Sequence, residues 1–333
     1  MKKDFSCVSN RVERIRKDYR RIIGAAIFAL CGLFGGTAWA DGRTLCVLVP
    51  HFKDEYWLSV AYGVEQRSED LGFSVHFFEA GGYDALENQL RQIDACRALQ
   101  PVAILIGAVS SDAPGLLTAV EVASRSHPVI GLVNELHSDA LATQVGVDWA
   151  NMGRALGSHL ADRYPGRGAP VEAVLLSGPP KAGWVAPLER GLMEGLVGSS
   201  VTIVATYGAD TGTAEQLRLV EKARAEHPQA GLVIGTAPAI EAAMALETGD
   251  DGPALAATYS SHSIARGLVG RQVLAAPFDD PVQQGRLAVD AAEAILGGAA
   301  IDKDIRTEIR VLTGGLDPSD IALSPADYFP HLD

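Results

Sequence analysis

Five aromatic side chains stand where they can act together. Tyr56 and Trp57 open the first helical pattern, Tyr83 follows the second short β-branched run, Trp149 follows the fifth, and Tyr259 ends a run in the second half. Phe, Trp and Tyr make up only 6% of the chain, so the clustering is a signal. Each π face attracts a desolvated cation by up to about 2 kcal/mol. The methyl groups of a quaternary ammonium would bury as apolar surface against the same rings. Asp54, two residues before Tyr56, reads as a helix N-cap, as a charge partner for a cation, or as both. Taken singly, each aromatic reads equally as the cap of a core. A sugar site would need several bidentate polar groups, because a hydroxyl or its partner left unpaired is costly.

Other chemistries lack their residues. The eight histidines show no H-x-x-x-H or H-E-x-x-H spacing, there is no C-x-x-C, and no G-x-S-x-G, G-x-G-x-x-G or P-loop string occurs. Gly178-Pro179-Pro180-Lys181 reads as an anion cradle at a helix start or as an ordinary loop. Asp54 is the only evident candidate for a perturbed acid or base. The reading is a binding protein without metal, cofactor or catalytic residue.

Strands and helices alternate through most of the chain and set these residues in place. Strands are expected at 45–49, 73–78, 102–106, 128–133 and 144–147, with helices at 56–71, 86–99 and 114–124 between them. The pattern restarts with strands at 171–176, 201–205, 231–234 and 254–259 and helices at 185–196, 214–225, 239–246 and 282–296. Such alternation forms right-handed βαβ units, so the fold class is α/β with two doubly wound parallel-sheet lobes. Ligands of open parallel sheets sit at the carboxyl ends of the strands. The stretches 51–57, 79–83, 107–112, 134–136, 148–149, 178–184, 235–238 and 259–262 are therefore where function is to be sought.

The first forty residues carry eight Lys/Arg, an uncharged stretch from Ile22 to Ala40 and a small-x-small tripeptide, Ala38-Trp39-Ala40. That is the layout of a secretory signal peptide, residues 1–40, with an apolar run too short for a comfortable span. The mature chain is expected to start near Asp41, in the periplasm, with no direct membrane insertion after cleavage. It keeps 20 Lys/Arg against 38 Asp/Glu, a net charge of −18, which repels phosphate backbones and excludes nucleic acid as a partner. Cys46 and Cys96 remain in it. They either pair, as an oxidising compartment allows, or stay buried as small apolar residues. A helix crossing back over the first strand makes them neighbours, and a bond needs a local close approach.

The order of elements resembles the type I periplasmic binding proteins, and Tyr56-Trp57 sits where the ribose-binding class places aromatics against a sugar ring. Where that class has an Asp-Arg pair this chain has Asn134-Glu135, and where it has a sugar-binding Asp the chain has Tyr259. Closer still is the TorT family, periplasmic trimethylamine N-oxide-binding partners of TorS-type sensor histidine kinases. The likeness lies in Pro50 to Val60 (PHFKDEYWLSV), Glu79 to Tyr83 (EAGGY), Val145 to Trp149 (VGVDW), Ile240 to Ala243, Tyr259 to His262 and Val282 to Leu287. The resemblance implies a cage of Trp57, Tyr83, Trp149 and Tyr259 around a trimethylammonium, with Tyr56 and Asp54 beside it. It also implies a multi-strand hinge near Asp148, after Ala276 and in the tail. The N-terminal lobe would then be 41–148 plus about 278–305, and the C-terminal lobe 149–277 plus about 306–333. Two functions follow as expectations: a sensor subunit whose closed form a kinase reads, or the solute receptor of an ABC-type transporter for a small methylated amine or sugar-like ligand.

Overall fold

The computed structural model describes residues 42–246, 252–317 and 321–332; the signal-peptide reading of residues 1–40 lies outside them. The first lobe begins with β1 (Thr44–Val49), α1 (Glu55–Leu71), β2 (Ser74–Glu79), α2 (Leu86–Ala98), β3 (Ala103–Ile106), α3 (Pro114–Ser124), β4 (Val129–Val133) and β5 (Thr143–Gly146). The second holds α4 (Trp149–Arg163), β6 (Val171–Ser177), α5 (Val185–Gly195), β7 (Val201–Gly208), α6 (Thr213–Glu226), β8 (Leu232–Gly235), α7 (Ala237–Leu246), β9 (Ala254–Ala257), α8 (His262–Val269) and β10 (Ala275–Phe278). The chain then returns with α9 (Pro281–Leu296), β11 (Asp304–Arg306) and β12 (Arg310–Thr313).

Two six-stranded sheets result, ordered β11-β5-β4-β3-β1-β2 and β12-β10-β9-β8-β6-β7. The orders match position for position, so β1 and β6 are equivalent strands, each one in from the edge. Pairing is parallel throughout except between β10 and β12. All residues of β3, β4, β5, β8 and β10 are buried, which is why β3, β4 and β8 read as unbroken runs of apolar and small residues. From Arg43 onward the described residues form one compact unit. Between named strands the chain passes from sheet to sheet through 147–148, 279–280 and 307–309.

Glycines let the helices of each lobe close up. A Cβ on Gly63 of α1 would lie 2.0 Å from the Val282 carbonyl oxygen, and one on Gly285 of α9 would lie 2.2 Å from that of Val60. In the second lobe, Gly153 of α4 and Gly191 of α5 stand in the same relation, 2.0 Å and 1.9 Å from the facing carbonyls of Leu188 and Ala150.

Two kinds of feature depart from the expectation. Helices α4 and α8 and strands β10, β11 and β12 are additional elements: Asp148 caps α4 by accepting from the Asn151 N–H and Ser261 caps α8 by accepting from the Ile264 N–H, whereas the Ala275-Ala276-Pro277-Phe278 run of β10 carries a proline that demotes it in a pattern reading. The tail, expected with the second lobe from 306 onward, stays there only through β12 and the next few residues. Beyond the undescribed 318–320 it crosses back. Ser324 N–H donates to Ser59 Oγ, Tyr328 Oη to Glu65, Phe329 packs edge-on against Phe52, and Leu332 bridges Phe77 on β2. These hydrogen bonds, the ring contact and the strand bridge hold it against the first lobe. Cys46 of β1 and Cys96 of α2 form a disulfide with Cα atoms 6.0 Å apart.

Candidate functional site

The first helix is started by Asp54, whose Oδ1 accepts the Tyr56 backbone N–H at 3.1 Å. That cap sets the second and third residues of the helix, Tyr56 and Trp57, toward the cleft at the carboxyl end of the first sheet. Tyr83 arrives from the loop after β2, and Asn134 from the end of β4. Opposite them stand Trp149, the first residue of α4, Thr211 in the loop after β7, and Tyr259 after β9. Together with Val133 and Trp184 these residues line one pocket. The free space is small, about 20 Å³, far below the roughly 300–1,000 Å³ of clefts that take drug-sized ligands. No Lys or Arg is among the lining residues.

The structure brings all six sequence-derived candidates, Asp54, Tyr56, Trp57, Tyr83, Trp149 and Tyr259, to this pocket, each 5% exposed or less. Their rings meet mainly edge to face: Tyr56 with Trp57 at 6.2 Å and with Tyr259 at 5.5 Å between centroids. Tyr259 Oη donates to Asp54 Oδ2 at 2.5 Å, joining the lobes. Behind the ring, Tyr56 Oη donates to Asp279 Oδ2 at 2.7 Å and accepts from Gln284 Nε2 at 3.1 Å. Burial pushes the Asp54 carboxyl up to about 6, against the pull of its hydrogen bonds from Tyr259 and the Tyr56 backbone. Asp279 is likewise pushed up to about 6 by burial, opposed by Tyr56 and Gln284. Burial also holds the Tyr83 hydroxyl well above the usual phenol range, although Asn134, Trp57 and Trp184 hydrogen-bond to it.

Backbone strain sits beside these rings. Val133 has φ of 65°, and the Asn134 N–H donates to the Leu132 carbonyl at 2.7 Å, which makes a γ-turn centred on a β-branched residue. That conformation is rare and costs on the order of 1–3 kcal/mol. It aims the Val133 carbonyl at the Trp149 indole, whose Nε1 donates to it at 3.3 Å. It also swings Asn134 so that Nδ2 donates to the Tyr83 hydroxyl at 3.2 Å and to the Ala108 carbonyl at 2.9 Å.

A second set of contacts closes the rim. His51 Nε2 lies 3.0 Å from Thr211 Oγ1 and 3.2 Å from Asp210 Oδ1 across the cleft. The Tyr83 N–H reaches Asp210 Oδ2 at 3.3 Å. Burial raises the Asp210 carboxyl, yet the hydrogen bond and charge of His51, with the Thr211 N–H and Lys53, hold it below its usual range.

Sequence reasoning missed Trp184, Asn134 as a positioning group, Thr211 and the rim pair His51–Asp210. Trp184 ends the stretch 178–184, of which only Gly178-Pro179-Pro180-Lys181 carries a reading, as an anion cradle or an ordinary loop; Gly178 carries the indole, whose Cη2 would lie 2.3 Å from a Cβ there. Its detectable signal is its place at the start of the helix that follows β6, where Trp57 stands at the start of the helix that follows β1. Among the described residues there is no group of His, Cys, Asp and Glu that could hold a metal ion. No described helix is long and apolar enough to cross a membrane.

A two-lobed parallel α/β fold with an aromatic pocket at the facing strand ends defines a binding protein of the periplasm. Residues 45–300 match the family model of the periplasmic binding protein domain, and the chain belongs to that family. Within it the chain is 36% identical over 270 residues to the periplasmic protein TorT of Escherichia coli K12, an alignment covering 81% of this chain and 77% of that one. The TorT of Escherichia coli O157:H7 is 35% identical over 270 residues. A crystal structure of the TorS sensor domain–TorT complex in the absence of ligand matches with a TM-score of 0.77 and 34% identity, covering 87% of this chain and 100% of that chain. An ABC transporter solute-binding protein from Bradyrhizobium sp. BTAi1, with bound bis-tris, matches with a TM-score of 0.74 and 36% identity, covering 88% and 90%.

Proposed function

We propose that this chain binds trimethylamine N-oxide between its lobes and that its closed form is read by the periplasmic sensor domain of a TorS-type histidine kinase, a non-enzymatic role in control of trimethylamine N-oxide respiration. One observation carries the ligand reading: tyrosine and tryptophan rings surround a small pocket that contains one buried carboxylate and no basic side chain. Aromatic faces and Asp54 suit a methylated nitrogen, which attracts them as a cation while its methyls bury. The oxide needs donors, and the phenols of Tyr56 and Tyr259 already donate to Asp279 and Asp54. The Tyr83 hydroxyl accepts from Asn134, Trp57 and Trp184, and its own proton is the phenol donor left for the oxide. The free space of about 20 Å³ is on the scale of one or two waters, so a ligand of five heavy atoms enters as the lobes part and spreads the rings around it. The likeness to TorT, one structure of which is a complex with the TorS sensor domain in the presence of trimethylamine N-oxide, supports both halves of the reading.

The second reading, a receptor delivering a small amine to an ABC-type transporter, is favoured by the Bradyrhizobium solute-binding protein, whose bound bis-tris is itself an amine. Calorimetry on the purified protein, with and without a purified TorS-type sensor domain, tests both. Trimethylamine N-oxide is expected to bind more tightly than glycine betaine, whose carboxylate meets Asp54 with no basic group to receive it. The sensor domain is expected to raise that affinity, as linkage requires of any partner that prefers the closed form. Equal or tighter betaine binding overturns the ligand assignment. A complex that forms without changing ligand affinity overturns closure as the signal.

A further inference from the structure

Trp57 and Trp184 are counterparts. Each lies in the first strand-to-helix connection of its lobe, after the equivalent strands β1 and β6, Trp57 as the third residue of α1 and Trp184 at the N-cap of α5. Each indole has its six-membered ring seated on a glycine at a strand end. A Cβ on Gly107 would lie 2.4 Å from Trp57 Cη2, and one on Gly178 would lie 2.3 Å from both Cη2 and Cζ2 of Trp184. An indole so seated has retreated as far from the pocket as the backbone permits. Trp184 is also the ring that joins the walls: its centroid lies 5.5 Å from Trp149, 6.1 Å from Tyr259 and, across the cleft, 6.4 Å from Tyr83. Its loop is held at the cleft by Gly183, where a Cβ would lie 2.7 Å from both the Glu135 carbonyl oxygen and Ser111 Cβ of the first lobe.

We infer that Trp184 is the specificity-determining residue of the pocket, its indole, backed by Gly178, setting the upper size of the methylated head that the closed lobes accept. The inference rests on the binding reading above and adds which side chain does the measuring. With the indole already against backbone, an ethyl in place of a methyl gains no room unless the lobes stay apart. One surplus methylene in a well-fitted apolar site costs about 10–200-fold in affinity.

The test is calorimetric titration of the wild type, W184A, W184F and G178A with trimethylamine N-oxide and triethylamine N-oxide. Thermal unfolding establishes which variants are folded. The wild type is expected to prefer the trimethyl compound by at least about tenfold. W184A is expected to lose about tenfold for it, as one cation–π wall is removed, and to bind the triethyl compound better than the wild type does. W184F keeps a smaller ring and shifts the preference the same way by less, so it carries the test should W184A not fold. In G178A the added methyl drives the indole into the pocket and weakens trimethyl binding more than tenfold, an effect absent when G178A is combined with W184A or W184F. If the wild-type size preference persists in the folded Trp184 variants, or G178A is indifferent, the inference is overturned while the binding reading stands. A wild type that binds neither compound sinks both.

Discussion

In the first lobe the pocket side chains are braced from behind: Tyr56 rests its hydroxyl on Asp279 with Gln284 beside it, and Tyr83 takes a hydrogen bond from Asn134. In the second lobe the polar atoms of the same pocket reach forward across the cleft. Tyr259 donates to Asp54, Thr211 meets His51, and the Trp149 indole donates to the Val133 carbonyl. Opening would leave the first set intact and return the second to water. On the closing mechanism proposed above, half of the pocket would be organised without closure, and the other half would acquire its partners by closing. Ligand shifts such an equilibrium only by its differential affinity for the closed form. The second-lobe walls would supply that difference.

The largest test of this asymmetry concerns the disulfide, which belongs to the braced lobe alone. Replacing Cys46 and Cys96 with Ser releases a loop with a sequence separation of 50. Chain entropy assigns a loop of that length about 4 kcal/mol. Denaturant unfolding is expected to show that loss, while the affinity of the folded fraction for trimethylamine N-oxide stays within a few-fold. A large affinity loss in folded protein would mean that the first lobe is not independently braced. Next in size is Tyr259→Ala, which removes a cage wall and the hydrogen bond that spans the lobes to a buried carboxylate. Affinity should fall about 100-fold, and small-angle scattering at saturating ligand should show a smaller closed fraction than in the wild type. Undiminished closure would place the driving contacts elsewhere.

The smallest effect is in pH. Asp54 titrates near 6 in the folded protein, and a cationic head favours its ionised form. Affinity should therefore rise about tenfold from pH 5 to pH 7.5, with protons released on binding, and Asp54→Asn should flatten the profile. In the ligand-free protein the sign is reversed. A carboxyl raised from 3.8 to about 6 holds its proton more tightly when folded, so the unfolding free energy falls as pH rises through that window. Asp54→Asn and Asp279→Asn should each remove part of that slope; thermal melts between pH 4 and pH 7 read it directly.

Much of this was legible because both lobes keep simple periods. Buried runs such as Leu45 to Val49 and Ala103 to Ile106 read as strands, Asp54 announced the helix that presents Tyr56 and Trp57, and Gly72 announced its end. The rest depends on contacts distant in sequence. Nothing local marks β10, where Pro277 interrupts a short Ala-rich run that becomes a strand by pairing with β12. Nothing near Val133 signals a strained turn, since the Trp149 indole that meets its carbonyl lies in the other lobe. Trp184 becomes visible only when the two first connections are superposed as equivalent, a symmetry of fold rather than of motif.

The crossings of the chain also govern the order in which the molecule can be assembled. The first lobe has β1 to β5 by residue 146, but the helix against which α1 packs through Gly63 and Gly285 comes at 281–296, its edge strand β11 at 304–306, and the strap over Phe52 and Phe77 at 321–332. The second lobe completes its sheet only with β12 at 310–313. Neither core can therefore be finished by a chain emerging from its N-terminus until nearly all of it is present, whereas contacts within β1 to α2, disulfide included, are available from the first hundred residues. Such long-range closure slows folding and exposes unfinished apolar surface while it lasts. For a chain exported unfolded, lateness would be an advantage. The same return strands that complete both sheets keep the polypeptide extensible until its last tenth has arrived.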